Sequence, residues 1–254
     1  MHSGRLLGDR RDVGQLGAHR GRRTLDGGDR RRDLLGLAID LADILGKIHA
    51  AHIIHKDINP SNIVYNPETQ QLKIIDFGIS TVLLRENPTI RNPDRLEGTL
   101  AYISPEQTGR MNRAIDYRTD FYSLGVTFYE LLTHQVPFET HDALELVHCH
   151  IAKQPVPPHE ITVEIPLVVS DIVMKLMAKT AEERYQSAWG LKADLETCLH
   201  QLKTSDRISD FPLAHQDISD KFQIPQKLYG REKEVETLLA AFERVAAGVE
   251  ITSP

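Results

Sequence analysis

Residues 55–62 read HKDINPSN and form a short polar stretch between an amphipathic pattern and two apolar runs. Before this stretch, apolar residues recur every three or four positions over 34–48, which predicts a helix ending near His49. After it, the apolar runs 63–65 and 72–75 are separated by Asn-Pro-Glu-Thr, a turn-forming sequence, and they predict a β-hairpin. The stretch is therefore predicted to be a loop that joins a helix to a hairpin.

Two further short motifs follow this loop. Asp76, Phe77 and Gly78 stand at the end of the second predicted strand, and residues 98–106 read GTLAYISPE. Taken singly, any of the aspartates is more simply a cap or a turn residue. The ordered set of three motifs, with a hairpin between the first two, is a far more specific signal than any one of them.

This set resembles the eukaryotic-type protein kinases. The loop is similar to the H-R-D-x-x-x-x-N catalytic loop of that family, and the later motifs are similar to its D-F-G and A-P-E elements. The resemblance covers about residues 34–200. It implies a mainly α fold, namely the helical C-lobe of a protein kinase with small β-hairpins. The sequence places further helices near 119–133, 141–153, 167–178 and 187–202.

The resemblance also implies phosphoryl transfer from ATP, with Mg²⁺ as cofactor, to a serine or threonine of a protein substrate. Asp57 is expected to orient the attacking hydroxyl or to accept its proton. Asn62 and Asp76 are expected to bind Mg²⁺ and so the nucleotide, because amide and carboxylate oxygens suit this hard cation. Structural roles are expected for His55, Phe77 and Gly78, the glycine allowing the backbone to turn after the metal ligand.

Three residues outside the loop are expected to hold the lobe together. Glu106 resembles the family glutamate that pairs with a later arginine, and Arg184 is the candidate partner. The alternative is a solvated surface pair, which contributes little to stability. Asp120 resembles the aspartate that begins the central helix and holds the backbone of the catalytic loop, a role compatible with that of a simple helix-start aspartate.

The segment between Asp76 and Glu106, which corresponds to the activation segment of the family, is predicted to be a long irregular loop, and loops of this length are usually either functional or disordered. Thr99 resembles the threonine of the substrate-facing loop in serine/threonine kinases. Thr89 is the candidate phosphorylation site, since a phosphate there can order the segment by pairing with a basic group. An unmodified loop threonine is the alternative. Lys56 occupies the family's arginine position, but its point charge cannot pair bidentately with a phosphate.

The sequence departs from the family in two places. Residues 1–33 contain neither a Gly-rich loop nor a strand lysine, so the N-lobe that would complete the ATP site is expected to be absent. Asn59, a second candidate catalytic residue, stands where many serine/threonine kinases have a lysine that contacts the transferred phosphate. These departures predict impaired activity of this truncated chain.

They also favour an alternative function, a non-catalytic kinase-like scaffold or partner-binding module. A third alternative is a small-molecule phosphotransferase. Such enzymes share the logic of the catalytic loop, but they generally lack the Ser-Pro-Glu segment found at residues 104–106.

Composition suggests the domain boundaries. The 254 residues carry a net charge of −6, but residues 1–33 hold nine arginines, seven glycines and no lysine, which predicts a disordered leader. The kinase-like lobe is expected over 34–203 and a linker over 204–226. Residues 222–232, FQIPQKLYGRE, resemble the opening of AAA-type ATPase modules, so 227–254 is expected to be the truncated start of such a module.

The same composition excludes several classes of protein. Two cysteines make no disulfide framework, and no stretch longer than ten residues lacks a charged side chain, so a transmembrane helix is not expected. The overall charge does not suit a nucleic-acid-binding protein. Composition therefore suggests a cytoplasmic protein. The kinase-like lobe and the ATPase-like start together resemble large bacterial signalling proteins, and this resemblance implies a role in signal transduction with ATPase and histidine kinase modules expected downstream of the lobe.

Overall fold

The structure, a computed structural model, describes residues 14–15, 30–82, 100–111, 113–140 and 142–218. Several predictions made from the sequence fall outside these ranges. They concern Thr89 and Thr99 of the activation segment, most of the 1–33 leader and the ATPase-type segment 227–254.

Within these ranges the chain is mainly helical, as the sequence predicts. The helices are α1 (Arg30–Ala50), α2 (Arg118–Thr133), α3 (Ala143–Ala152), α4 (Pro158–Ile161), α5 (Leu167–Leu176) and α6 (Ala188–Ser205). Helix α1 begins one turn before the apolar pattern starts at Leu34, because arginine is a good helix former and the helix extends beyond its buried face. The short helix α4 was not predicted, since a single turn carries no periodic signal.

The predicted hairpin consists of β3 (Ile63–Asn66) and β4 (Gln71–Ile74), which pair antiparallel with Ile63 opposite Ile74. Its turn is stabilised by Asn66, whose side-chain oxygen accepts hydrogen bonds from the backbone of the two residues after Pro67. Strand β1 (Gly14–Gln15), within the predicted leader, pairs with the other edge of β3. A second small sheet joins β2 (Ile53–Ile54) to β5 (Thr81–Val82).

Helix α2 forms the centre of the core and is buried over almost all of its length, as its apolar residues on every side predict. Helix α5 crosses it at Gly125. A Cβ atom there would lie 2.7 Å from the Cβ of Leu176, so the crossing requires a residue without a side chain. Helix α1 packs along α6, and these helices form one apolar core with the hairpin residues Ile63 and Ile74.

Residues 207–218, the C-terminal strap, belong to the predicted linker 204–226. The strap folds back along α6. Four apolar side chains of the strap pack against the core: Ile208, Phe211, Leu213 and Ala214. The carboxylate of Asp217 accepts hydrogen bonds from the backbone of Gln186, at 2.6 Å, and from the hydroxyl of Ser187, at 2.7 Å. This part of the predicted linker is therefore part of the packed unit, which extends to Ile218.

None of the helices in the described part of the chain has both the length and the apolar character that crossing a membrane requires.

Candidate active site

Asp120, in the first turn of α2, anchors the loop 55–62. Its carboxylate is fully buried and accepts hydrogen bonds from the backbone N–H of His55, at 2.9 Å, and of Lys56, at 2.7 Å. The ring Nε2 of His49, at the end of α1, donates to the same carboxylate at 2.9 Å. A buried carboxylate needs several such donors, and here they come from both α1 and the loop. The loop is thereby fixed to the central helix of the lobe.

Asp57 projects from this loop with both carboxylate oxygens hydrogen-bonded. The side-chain amide of Asn59 donates to Oδ1 at 2.8 Å, and that of Asn62 donates to Oδ2 at 2.9 Å. Asn62 also donates to the backbone carbonyl of Asp57 at 2.8 Å. Because two fixed amides hold it, the carboxylate has one defined orientation while its residue remains partly exposed.

Asn59 has a second role, since its side-chain oxygen caps the short helical turn 60–62. It accepts hydrogen bonds from the backbone N–H groups of Ser61, at 2.9 Å, and of Asn62, at 3.2 Å. Pro60 occupies the first position of the turn, where no N–H is needed. The residue that stands in place of the family's lysine thus both shapes the loop and orients Asp57.

The hairpin brings Asp76 to the same loop. The backbone N–H of Ile75 donates to the carbonyl of Asn62 at 2.9 Å, and the Nε2 of His55 donates to the carbonyl of Ile75 at 3.1 Å. Asp76 follows with φ at +62°, a left-handed conformation that turns the chain away from the strand. The hydrogen bond between the carbonyl of Asn62 and the N–H of Ile75 therefore brings the backbone of Asp76 close to Asn62, the other expected Mg²⁺ ligand.

The residues around Asp76 support this turn. The side-chain oxygen of Asp76 accepts a hydrogen bond from the backbone of Gly78 at 3.2 Å. The ring of Phe77 packs edge-on against the ring of His55, with the ring centroids 4.7 Å apart. Phe77 and Ile79 nevertheless leave much of their apolar surface exposed beside Asp76. Exposed apolar surface of this kind is typical of a site that binds another molecule or segment.

Glu106 connects the end of the activation segment to the helical lobe. Its carboxylate is buried and receives a hydrogen bond from the Thr119 hydroxyl at 2.8 Å, besides its ion pair with Arg184. Burial opposes ionisation, but the hydrogen bonds and positive charge of Arg184 outweigh it and hold the pKa of Glu106 below its ordinary value. The guanidinium of Arg184 also donates to the carbonyl of Ala178, which fixes it in place.

Comparison with known families agrees with this geometry. A sequence model described as "Protein kinase domain" matches residues 35–201, well over half of the chain. The chain belongs to the protein kinase family.

Three relatives show the range of family members that this protein kinase domain resembles. It is 36% identical over 162 residues to "Probable serine/threonine-protein kinase CPE1738" of Clostridium perfringens, covering 64% of this chain and 23% of that protein. It is 32% identical over 170 residues to "Serine/threonine-protein kinase PknB" of Mycolicibacterium smegmatis, covering 67% and 27%. It is 31% identical over 300 residues to "Hybrid signal transduction histidine kinase G" of Dictyostelium discoideum, covering 84% and 9%.

The matched part of this kinase domain thus spans between about a tenth and a quarter of the length of these relatives. This domain and the bacterial serine/threonine kinases therefore belong to the same protein kinase family. Across the described residues, no group of three or more His, Cys, Asp or Glu side chains is arranged to hold a metal ion.

The kinase domain also contains two contact residues that the sequence reasoning missed. His49 supports Asp120, and Gln107 hydrogen-bonds to the backbone of both Ser104 and Lys56. The contact with Ser104 has a local signal, because Ser-x-x-Gln is the capping-box pattern of a helix start. The contacts to Lys56 and Asp120 join residues more than fifty positions apart, and no local pattern predicts them.

Lys56 itself lies with φ at +69° and its side chain is about half buried. Burial lowers the pKa of its ammonium group, and the charge of Asp120 partly opposes this change. Thr89, the candidate phosphorylation site, lies outside the described residues, so the pairing of a phosphate there with a basic group stays a prediction.

Proposed function

We propose that this chain is the helical lobe of a serine/threonine protein kinase, which transfers a phosphoryl group from Mg-ATP to a hydroxyl of a protein substrate. The proposal rests on one observation, namely that hydrogen bonds fix both the loop 55–62 and the side chain of Asp57. The carboxylate of Asp57 is held by two amides, on a loop that is itself fixed to α2 by a buried aspartate. Phosphoryl transfer requires this kind of positioning more than covalent chemistry.

Each residue of the site has a role that follows from its contacts. Asp57, partly exposed and fixed in orientation, would accept a hydrogen bond from the incoming hydroxyl and take its proton as the bond to phosphorus forms. Because the amide nitrogen of Asn62 donates to Asp57, its amide oxygen is the atom left to bind a cation. Asp76 is exposed and can offer a carboxylate oxygen beside it.

These two ligands fit Mg²⁺, which commonly binds one or two protein oxygens and completes its shell with phosphate oxygens and water. Bound Mg-ATP would supply the phosphoryl group and neutralise the charge that develops on it. The names of the bacterial relatives support serine or threonine as the acceptor. The similarity to a hybrid histidine kinase supports a place in signal transduction with a histidine kinase module as partner. The resemblance of residues 222–232 to the opening of ATPase modules supports an ATPase module as a second partner.

Asn59 favours a second candidate function, a non-catalytic kinase-like module that binds a partner. An amide there occupies Oδ1 of Asp57 and adds no positive charge near the transferred phosphate. A kinase-like loop of this kind can persist as a structural element, since its hydrogen bonds are satisfied within the lobe. Nucleotide binding and transfer together distinguish the two candidates.

The test measures both properties on the purified chain. Titration calorimetry with ATP in the presence and absence of Mg²⁺ gives binding, and single-turnover transfer of labelled phosphate to dephosphorylated casein gives activity. We expect Mg²⁺-dependent transfer that falls about a hundredfold or more in Asp57→Asn. Asp171→Asn, a matched change at an exposed position on α5, should leave the rate unchanged. Transfer that is equal in Asp57→Asn and wild type, or absent in both, would reject the kinase proposal in favour of the second candidate.

A further inference from the structure

Glu106 and Gln107, at the end of the activation segment, contact different parts of the lobe. Residues Pro105–Thr108 form a single 3₁₀ turn. Glu106 reaches Arg184 and the helical core, whereas Gln107 reaches the loop 55–62, where its Nε2 donates to the backbone carbonyl of Lys56 at 2.8 Å. The turn therefore connects the core of the lobe to the loop that carries Asp57.

Lys56 is the residue of that loop whose backbone most needs support. It is a non-glycine residue with φ at +69°, a left-handed conformation that is sterically unfavourable for a residue with a Cβ atom. Its N–H is held by Asp120 Oδ1 at 2.7 Å, and its carbonyl is held by Gln107. The peptide group before Lys56 is thus fixed by Asp120 of α2, and the peptide group after Lys56 is fixed by Gln107 of the turn 105–108.

The side chain at position 107 must both accept and donate a hydrogen bond. While Nε2 donates to Lys56, Oε1 accepts from the backbone N–H of Ser104 at 3.1 Å. Glutamate would lack the donor, lysine would lack the acceptor, and methionine of similar length would lack both. The two bonds also fix the orientation of the amide, because exchanging its oxygen and nitrogen would place like groups against each other at both ends.

We propose that Gln107 is a positioning residue for phosphoryl transfer, which links the turn 105–108, at the end of the activation segment, to the orientation of Asp57. The carbonyl that Gln107 holds belongs to the peptide group whose nitrogen is that of Asp57. Rotation of this peptide group moves the Cα of Asp57 and hence its carboxylate. Loss of order in the segment 104–108 would release the Lys56 carbonyl and misplace the acceptor of the substrate proton. The activity part of this proposal rests on the proposed function, whereas the structural link does not.

The link can be observed directly at one atom pair. Lys56–Asp57 is the sole Lys-Asp pair in the sequence, so ¹³C-carbonyl lysine combined with ¹⁵N-aspartate labels a single peptide bond. We expect the amide signal of Asp57 to move by more than its linewidth in Gln107→Met and in Gln107→Glu. The Asp57 signal should stay in place in Gln201→Met, which is the matched control. Gln201 lies near the C-terminal end of α6, and its side-chain oxygen accepts a hydrogen bond from the backbone N–H of Ser209. An unmoved signal in Gln107→Met would overturn the link.

Transfer kinetics then test positioning against simple stabilisation. We expect kcat to fall about ten- to a hundredfold in both Gln107 variants, with KM for the protein substrate within twofold of wild type. Assays well below the melting temperature of each variant remove the contribution of unfolding. A kcat equal to that of Gln201→Met, with the Asp57 signal displaced, would overturn the positioning role. If wild type transfers no phosphate, the proposed function fails, and the labelled peptide bond alone decides whether the link exists.

Discussion

Arg184 holds Glu106 by two parallel hydrogen bonds inside the lobe. Nη1 lies 2.6 Å from Oε1 and Nη2 lies 2.9 Å from Oε2, and the two residues are only 1% and 3% exposed. The contact joins positions 78 residues apart, at the end of the activation segment and just before α6. The pair is therefore buried and is not the solvated surface pair of the alternative interpretation. Loss of one partner of a buried pair lowers the free energy of unfolding much more than loss of one partner of a surface pair.

Glu106→Gln should lower the free energy of unfolding by roughly 3–5 kcal/mol, because the change leaves the guanidinium of Arg184 buried without its counter-charge. Urea denaturation monitored by circular dichroism measures this loss. Glu196→Gln is the control, since Glu196 lies 4.0 Å from Lys192 on α6 with 56% of its side chain exposed and should cost less than about 1 kcal/mol. Equal losses in the two variants would contradict the importance of burial.

Asp76→Asn should raise the Mg²⁺ concentration required for ATP binding about tenfold or more, because an amide replaces the single carboxylate expected to bind the cation. Calorimetric titration of ATP at a series of Mg²⁺ concentrations measures the change. Glu68→Gln removes one exposed negative charge at the turn of the hairpin and controls for long-range electrostatics. An unchanged Mg²⁺ requirement in Asp76→Asn would exclude this residue as a ligand.

Asn59→Lys should have two separable effects. It removes the cap of the turn 60–62, which should cost roughly 0.5–2 kcal/mol of stability. It also adds the charge that many serine/threonine kinases have at this position, so the rate of transfer should rise. Asn59→Ala is the control, because it removes the cap without adding the charge and should lower both stability and rate. If the lysine variant is no faster than the alanine variant, the position does not contact the transferred phosphate.

His150 should make the lobe sensitive to mild acid. Burial, followed by the charge of Lys179, lowers its pKa from 6.5 to about 3 in the folded state. The unfolded chain therefore binds a proton first as the pH falls, so stability is complete above about pH 6.5 and declines towards pH 3. The ring Nδ1 of His150 lies 2.9 Å from the Tyr122 hydroxyl, inside the lobe.

Denaturation at a series of pH values tests this sensitivity. Between about pH 6.5 and 5, the free energy of unfolding should fall by at most about 1.4 kcal/mol per pH unit. His150→Gln keeps an acceptor for Tyr122 and should flatten this slope, whereas His148→Gln, at an exposed neighbouring position, should preserve it. The same slope in His150→Gln and wild type would assign the acid sensitivity to another group.

Much of the helical lobe could be predicted from the sequence because its signals are local. The all-round apolar character of α2 and the Asn66 turn of the hairpin each depend on residues within a few positions. The roles of Asp120 and Arg184 were inferred from resemblance to the kinase family, since nothing near either residue shows what it contacts. The structure places both in buried contacts with the expected elements.

The remaining features depend on contacts between distant parts of the chain. Gln107 and Lys56 lie 51 positions apart, and their hydrogen bond depends on the tertiary position of the turn 105–108, which Glu106 attaches to the core through Arg184. The two roles of Asn59 follow from loop geometry, where the sequence showed only a missing lysine. The sequence of the strap shows no periodicity, and the strap is held by scattered apolar side chains that pack against the core together with polar contacts such as those of Asp217.

The C-terminal strap also determines where this domain can be cut from a longer polypeptide. The family match stops at residue 201, but a recombinant fragment ending there would lose Asp217, on which the N-terminal end of α6 depends. It would also uncover the apolar surface beneath Phe211 and Leu213, which promotes aggregation. A fragment that ends at Ile218 or beyond keeps this surface covered, so a fragment for expression should end at least seventeen residues after the end of the family match.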